Sequence, residues 1–425
     1  MTGKRIVFAT FGSLGDLHPY IAVARELLRR GHSPLIATFA EFREPVEAAG
    51  IEFAPVRPDM VGFGDKAAIM ERLIDPWRGP EFLVRRMFMP HLRESYEDLA
   101  RACRGADLLV THPLAFTGPL LAQKQGLRWA STALSPITQF SAFDPPLFPA
   151  APWMRWASKL GPGAYRMVFR IPRALVRRWE EPLRAFRAEL GLPATGALAQ
   201  FEGQYSPLLH LALFSRLIAR PQPDWPASTV LCGFPRYDGA PLDARRQAEL
   251  EAFLAAGEPP LVFGLGSSAV MVAGAFWRAA IDAAQALGRR AILLTGSPPD
   301  GIGPLPPTIQ LFDYLPYSAV FPRAAANVHS GGIGTLAQAL AAGRPQLVVP
   351  VAFDQPDNAR RTVALGVARS VPFARANARA LERKLTALLD APELAARARR
   401  IGDEVAREDG AQAAAGALES LAQAG

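Results

Sequence analysis

The chain has 425 residues, half of them apolar and a fifth charged, with a formal net charge of +8. That length favours two cores, and the composition excludes a disordered or fibrous chain. No apolar run approaches the ~18 residues that span a bilayer. Two cysteines, Cys103 and Cys232, are too few and too far apart for a disulfide framework or a metal site. The basic balance is nearly all arginine. It suits an anionic substrate, an anionic membrane surface or nucleic acid, and selects none of them. No nucleic-acid module and no zinc spacing is visible, so neither partner is expected.

In chain order, the N-terminus enters an apolar strand at Arg5 with no leader-like segment before it, so a cytoplasmic location is expected. That strand runs Arg5–Phe11, and Gly12–Asp16 reads as a turn. Pro19–Arg30 reads as an amphipathic helix with Pro19 in its first turn and Gly31 as its stop. A strand over Pro34–Phe39, a helix over Glu41–Ala49 and a strand over Glu52–Val56 complete a βαβαβ opening. This alternation predicts a parallel sheet covered by helices on both faces.

The middle, from Met60 to Ala219, is less regular. Asp107–Thr111 is a strand. Gln139–Trp156 is rich in Phe, Trp and Pro and fits no element. It reads as the lining of an apolar pocket, through Phe140 and Phe143, or as a loop wrapping the core. Arg166–Arg187 is partly helical, and reads as a membrane-surface helix or as a packed helix with a solvated basic face. Three prolines in Pro221–Pro226 mark a linker.

Strands are then expected at Pro260–Gly266, Arg290–Thr295, Ile309–Phe312, Ala325–His329 and Gln346–Pro350, with a helix near Ala275–Leu287. Helical sequence fills Ala378 to the end, capped by Asn377. The predicted organisation is two Rossmann-like α/β domains facing across a cleft. The first covers 1–220, a linker 221–240 and the second 241–405. A final helix is expected over 406–425, with packing back on the first domain as an option.

The stretch Ala326–Thr335 describes an anion cradle. A strand ends at His329, three glycines (Gly331, Gly332, Gly334) follow within five residues, and a helix starts at once. Helix N-termini carry unpaired N–H groups and partial positive charge, and glycines let a phosphate approach them. After the next strand come Asp354, Gln355 and Asn358, groups that bind hydroxyls. A diphosphate site beside a hydroxyl-reading site suggests a nucleotide-sugar pocket. Gly264–Ala269 superficially fits a dinucleotide fingerprint, but the acidic residue expected at the end of the next strand is missing.

The segment from Asp313-Tyr-Leu-Pro through His329-Ser-Gly-Gly-Ile-Gly-Thr335 to Asp354-Gln-Pro-Asp-Asn358 closely resembles a known donor signature. It is that of the family 1 nucleotide-sugar glycosyltransferases of GT-B fold. Gly12-Ser-Leu-Gly-Asp-Leu-His-Pro19 resembles the opening of their bacterial branch, which includes sterol, rhamnolipid and antibiotic glycosyltransferases. Pro223–Pro226 through Cys232–Pro235 looks most like the rhamnosyltransferases. The resemblance is weak across the middle, where such enzymes bind the acceptor.

This resemblance implies an inverting transfer of a hexose to an apolar hydroxylated acceptor, lipid-like or small, with no tightly bound cofactor or metal. It implies UDP-glucose as first donor and a dTDP-sugar such as dTDP-rhamnose as second. His329, Gly331, Gly332, Gly334 and Thr335 would bind the diphosphate, with Gly266, Ser267 and Ser268 from the earlier loop. Tyr314 would stack on the base and the Leu315 backbone would hydrogen-bond it. Asp354 and Gln355 would bind the sugar. Many relatives carry a histidine in the turn after the first strand. Aligned on the proline, that position is Asp16 here, with His18 two residues on, and several bacterial relatives carry aspartate there. Asp16 is therefore the expected general base. His112 stands where relatives carry the aspartate that orients the base. A dyad with exchanged identities and His18 as base both stay open.

Each residue also has a plain reading. His329 is then a satisfied strand-end histidine, and Asp354, Ser267 and Ser268 are helix caps. Tyr314 is then a core aromatic, and His18 faces solvent. A nucleotide-sugar epimerase or hydrolase, or a non-catalytic activator subunit, are the alternative functions. A monomer or homodimer is expected, with peripheral contact at the inner membrane face as an option.

Overall fold

The computed structural model describes residues 3–297 and 302–424. Backbone contacts divide the chain into two units, Met1–Tyr237 with Asp409–Gly425, and Asp238–Glu408. Each holds one parallel sheet.

In the first unit seven strands run in the order β3-β2-β1-β4-β5-β6-β7. They are β1 Arg5–Ala9, β2 Ser33–Thr38, β3 Glu52–Pro55, β4 Leu108–Thr111, β5 Trp129–Ala133, β6 His210–Ala212 and β7 Thr229–Leu231. Ile6, Val7, Phe8 and Ala9 are all buried, the near-continuous apolar run that a strand covered on both faces requires. Phe8 of β1 lies opposite Ile36 on one side and Val110 on the other. Strand order reverses at β1, so the carboxyl ends of β1 and β4 flank the sheet's switch point, where open α/β sheets bind ligands.

Helix α1 spans Leu14–Arg29, five residues earlier than the sequence suggests. Ser13 caps it, accepting from the Gly15 N–H, while Asp16 at the third helical position accepts back from the Ser13 N–H at 2.7 Å. This reciprocal capping box outweighs Pro19, which lies inside the helix at the loss of one hydrogen bond. Asp16 is therefore a first-turn helical residue rather than part of a turn. Of the irregular middle, α2 Met154–Ser158 and α3 Pro162–Trp179 concern the site's surroundings. Phe140 joins Phe148, Phe169 and Phe201, with ring centroids 4.8–6.2 Å away.

The expected linker, 221–240, carries β7, the edge strand of this sheet, and the unit continues to Tyr237. Prolines exclude helix and central strand but leave an edge strand nearby. Asp224 in the proline run accepts from Ser141 Oγ at 2.6 Å and the Ala142 N–H at 2.8 Å, pinning the irregular loop.

The second unit has six parallel strands in the order β10-β9-β8-β11-β12-β13. They are β8 Leu261–Gly264, β9 Ala291–Leu294, β10 Ile309–Phe312, β11 Ala326–His329, β12 Gln346–Val348 and β13 Ala368–Ser370. The switch point here lies between β8 and β11. Helices α4 Ile333–Ala341, α5 Gln355–Ala364 and α6 Pro392–Ala406 follow the later strands. Asn377 caps the helix that starts at Ala378, accepting from the Ala380 N–H at 3.0 Å.

The last helix, α7 Gly410–Gln423, belongs to the first unit and packs on α1. Glu419 takes Arg30 and His32, each at 3.1 Å. The Lys4 N–H donates to His32 Nδ1, so Nε2 carries the proton offered to Glu419. No helix among the described residues is long and apolar enough to cross a membrane.

Candidate functional site: two switch points

In the second unit the loop after β11 is fixed from three sides. His329 Nδ1 accepts the Gly331 N–H at 3.1 Å, and His329 Nε2 donates to Gln346 Oε1 at 3.0 Å. Asn358 Nδ2 donates to the Gly331 carbonyl at 2.9 Å. Ser330 Oγ donates to the Leu265 carbonyl at 2.7 Å. Gly331 holds φ +87, and a Cβ there would lie 2.7 Å from Val348, so only glycine makes this turn.

His329 has protein partners on both sides. Its ring is fully buried with both nitrogens engaged, and burial pushes it down to about 4 against the Gln346 hydrogen bond. Both ring nitrogens therefore help to set the loop. The Gly331 amide is likewise spent on His329. The amides that remain are those of Gly332 and the first turn of α4, namely Ile333, Gly334 and Thr335. Gly332 offers no side-chain cap, so the start of α4 presents N–H groups and the positive end of the helix dipole.

Gly266, at φ +76, faces this start. A Cβ on it would be 3.4 Å from Thr335 Oγ1 and 3.8 Å from Ser330 Oγ. The two glycine loops thus converge at the switch point as the sequence suggests. Ser267 is exposed in the helical turn Gly266–Ala269. The Ser268 side chain lies outside the described part of the structure.

The sequence reading missed Tyr317. Its phenol hydrogen-bonds both the Gly266 backbone and Thr335, bridging the two loops, and burial raises its pKa. Its ring stacks on Phe321 at 4.3 Å. No local pattern marks it, because the two loops it bridges are distant in sequence.

Tyr314 is exposed, with its hydroxyl donating to the Asp238 carbonyl. The Asp238 carboxylate also accepts from the Ser318 N–H at 3.2 Å and Gln338 Nε2 at 2.8 Å. Its presented ring fits a stacking platform and rules out the core-aromatic reading. The Leu315 side chain is buried.

Past β12, Asp354 stands at the cap position of α5 without capping it, and its carboxylate accepts from Asn358 Nδ2 at 2.7 Å. Gln355 is buried, and its Oε1 accepts from Val351 at 2.9 Å and Ala352 at 3.2 Å. Only its Nε2 is left to reach a ligand. Phe353, another residue the sequence reading passed over, adopts φ +58 and stays exposed beside Asp354. Strain of this kind in a bulky residue marks sites where the exposed side chain is used.

In the first unit, Asp16 and His112 meet at the switch point, with Oδ1 3.6 Å from Nε2. That separation is beyond a hydrogen bond. Both groups are oriented. Asp16 Oδ2 is occupied by the Ser13 N–H at 2.7 Å and Ser13 Oγ at 3.1 Å. His112 Nδ1 accepts the Leu114 N–H at 3.2 Å, so the neutral ring carries its proton on Nε2, aimed at Asp16 Oδ1. Behind the pair, Tyr20 packs edge-on to His112, 6.2 Å between centroids, and hydrogen-bonds Thr132 at 2.5 Å.

His18 is not part of this pair. It sits half-buried, edge-on to Tyr237 at 5.2 Å. Burial pushes it down to about 4, against a hydrogen bond to the Tyr237 backbone. Packed against Tyr237, it is not a freely solvent-facing ring. Phe140 belongs to the aromatic core described above. Phe143 is exposed under the Arg166 guanidinium, 5.3 Å from its ring centroid. The segment between them is an irregular loop, with Phe140 partly buried against the aromatic cluster and Phe143 exposed.

Comparison with known proteins agrees with this geometry. Residues 6–93 match the glycosyltransferase family 28 N-terminal domain, and residues 281–421 match the erythromycin biosynthesis protein CIII-like C-terminal domain. The chain is 34% identical over 428 residues to O-mycaminosyltylonolide 6-deoxyallosyltransferase of Streptomyces fradiae, covering 99% of this chain and 98% of that one. It is 30% identical over 440 residues to a sterol 3-beta-glucosyltransferase of Aspergillus terreus. That match takes 97% of this chain but spans only 30% of that protein's length.

Among solved structures, the glycosyltransferase SnogD from Streptomyces nogalater superposes with a TM-score of 0.68 at 22% identity, over 99% of this chain and all of that one. The glycosyltransferase VinC in complex with dTDP superposes with a TM-score of 0.67 at 21% identity, over 99% of this chain and 100% of that one. Two doubly wound parallel sheets, a glycine-framed helix start in the second, and full-length identity to a glycosyltransferase lead to one assignment. The chain belongs to the family 1 nucleotide-sugar glycosyltransferases of GT-B fold, in the branch that holds antibiotic and sterol glycosyltransferases.

Proposed function

We propose that the chain moves a hexose, with inversion at the anomeric carbon, from a nucleoside-diphosphate carrier to a hydroxyl of an apolar small-molecule or lipid-like acceptor. The uncapped start of α4, facing Gly266 at the second unit's switch point, carries this reading. The four consecutive amides of Gly332 to Thr335 and a helix dipole form a preorganised seat for a diphosphate. Tyr314 and Leu315 would hold the base, and Asp354 with Gln355 Nε2 the sugar hydroxyls.

A dTDP-6-deoxyhexose is favoured over UDP-glucose, which reverses the order that the sequence resemblance implied. The Streptomyces fradiae relative is named for a 6-deoxyallose, and VinC was solved with dTDP. The exposed Phe353 ring beside Asp354 suits a sugar that presents a methyl where glucose has a hydroxymethyl group.

In the reaction the acceptor oxygen bonds the anomeric carbon while the carbon–phosphate oxygen bond breaks and its electron pair leaves with the diphosphate. Negative charge grows on that leaving group, where the α4 amides stabilise it without reorganisation. The acceptor proton passes to Asp16. The hydroxyl grows acidic as its oxygen bonds carbon, so a late transfer to a carboxylate suffices. Asp16 Oδ1 is the oxygen left open by Ser13. His112, its Nε2 3.6 Å from that oxygen, completes the pair, and a small shift on substrate binding would bring the two within hydrogen-bond reach.

Titration calorimetry with dTDP and UDP, together with product mass from dTDP-deoxyhexose or UDP-glucose against a panel of apolar hydroxylated acceptors, tests the reading. Asp16→Asn should lower kcat by about 10²- to 10⁴-fold and leave dTDP affinity unchanged. Full turnover in that variant would remove Asp16 from the role of base. Absence of binding to either nucleotide at saturating concentration would remove the donor assignment.

A further inference from the structure

The face of α3 turned away from the core carries a second apolar stripe. Tyr165, Phe169, Val176 and Trp179 are buried in the first unit, at helical spacings that define one face. Met167, Ile171 and Leu175 follow each other by four residues and form a different face. They are exposed, Met167 by 71% and Ile171 by 66%. Leu160, Trp156 and Trp153, just ahead on and around α2, extend this exposed set. Single exposed apolar residues are ordinary, but six within one short segment are not.

Arginines separate the two faces. Arg166, Arg170, Arg173 and Arg177 recur at three- and four-residue steps along α3. Residues 151–178 hold seven basic side chains and no acidic one. Asp224 and Glu202, from elsewhere in the unit, pair with Arg166 and Arg173. Lys159, Arg170, Arg177 and Arg178 are exposed and carry no ion pair among the described residues.

We infer that this stripe docks the enzyme on a bilayer surface bearing anionic headgroups. Apolar side chains, two tryptophans and flanking arginines are what an interfacial helix needs, with the tryptophan rings at headgroup level and the guanidiniums on phosphates. Charge argues against a second copy of the chain as the occupant. About a two-fold axis the stripe would meet itself, arginine against arginine, with Asp224 and Glu202 already taken up by Arg166 and Arg173. An anionic bilayer turns the same charges into attraction. The inference stands apart from the donor and base assignments, since adsorption requires no turnover.

Co-sedimentation of the full chain with phosphatidylcholine vesicles, with and without phosphatidylglycerol, tests it. Binding should appear with the anionic lipid, be absent without it, and weaken as salt is raised. Ile171→Glu with Met167→Glu, and separately Arg170→Glu with Arg177→Glu, should each reduce partitioning at least roughly tenfold. All four positions are exposed, so the fold should survive, and an unchanged melting temperature checks this. Equal binding to both vesicle types, or undiminished binding by the Ile171 variant, overturns the inference. So does a wild-type dimer in solution that the Ile171 variant splits into monomers, because the face would then be covered by a second copy.

Discussion

At the level of single residues, partners decide what a polar group does. His329 has the sequence context of a ligand, yet Gln346 and the Gly331 amide take both its nitrogens. Gln346→Leu should therefore act twice. It strands a buried N–H, at a cost of about 1–3 kcal/mol, and it frees the ring that sets Gly331, so dTDP should bind more weakly. Urea unfolding and titration calorimetry on the same variant check both effects. A variant as stable as the wild type with unchanged affinity would show that the Gln346 hydrogen bond does not set the loop. The positions of Gly266, Gly332 and Thr335 were legible in advance because glycine spacing before a helix has few physical uses. Tyr317 was not, since its bridge between two loops depends on chain distant in sequence.

Among the secondary-structure elements, buried strands of four or more residues announced themselves through apolar runs, as in Ile6–Ala9 and Leu261–Gly264. The missed strands were short or polar. Trp129–Ala133 includes Ser131 and Thr132, both buried, and β6, β7 and β13 have three residues each, too few to show a period. Close approach between helices was equally hidden. Gly402 in α6 lies against Gly343 just past α4, where a Cβ on Gly402 would be 2.6 Å from the Gly343 Cα. The contact is backbone on backbone, so no side chain can yield. Gly402→Ala should push α6 off α4 and destabilise the second unit by roughly 1–3 kcal/mol, the usual range for overpacking. A melting temperature equal to that of the wild type would show that the helices slide apart freely.

Over the whole molecule, buried histidines set a pH response. Burial pushes His18 and His329 down to about 4 and His210 to about 3, from an ordinary value of 6.5. The unfolded chain therefore binds protons below pH 6.5 that the folded chain does not. Stability should be complete above that point and fall as pH drops from 6.5 toward 4. Urea midpoints measured from about pH 8 to about pH 5 should decline over the lower half of that range. A flat profile would mean that these rings are charged and paired in the folded protein.

Local pattern alone established two parallel α/β domains and pointed to a glycine-framed helix start after β11, because strand periodicity and glycine spacing are local properties of a chain. Tertiary structure decided which groups remain available. It spent His329 and the Gly331 amide on the fold, brought His112 to Asp16 across two strands, and folded Phe140 into an aromatic core. It also returned the last helix to the first unit and left one face of α3 bare. A hydrogen bond satisfied by a residue far along the chain leaves no trace at either end of the sequence, and neither does an apolar face that finds no partner.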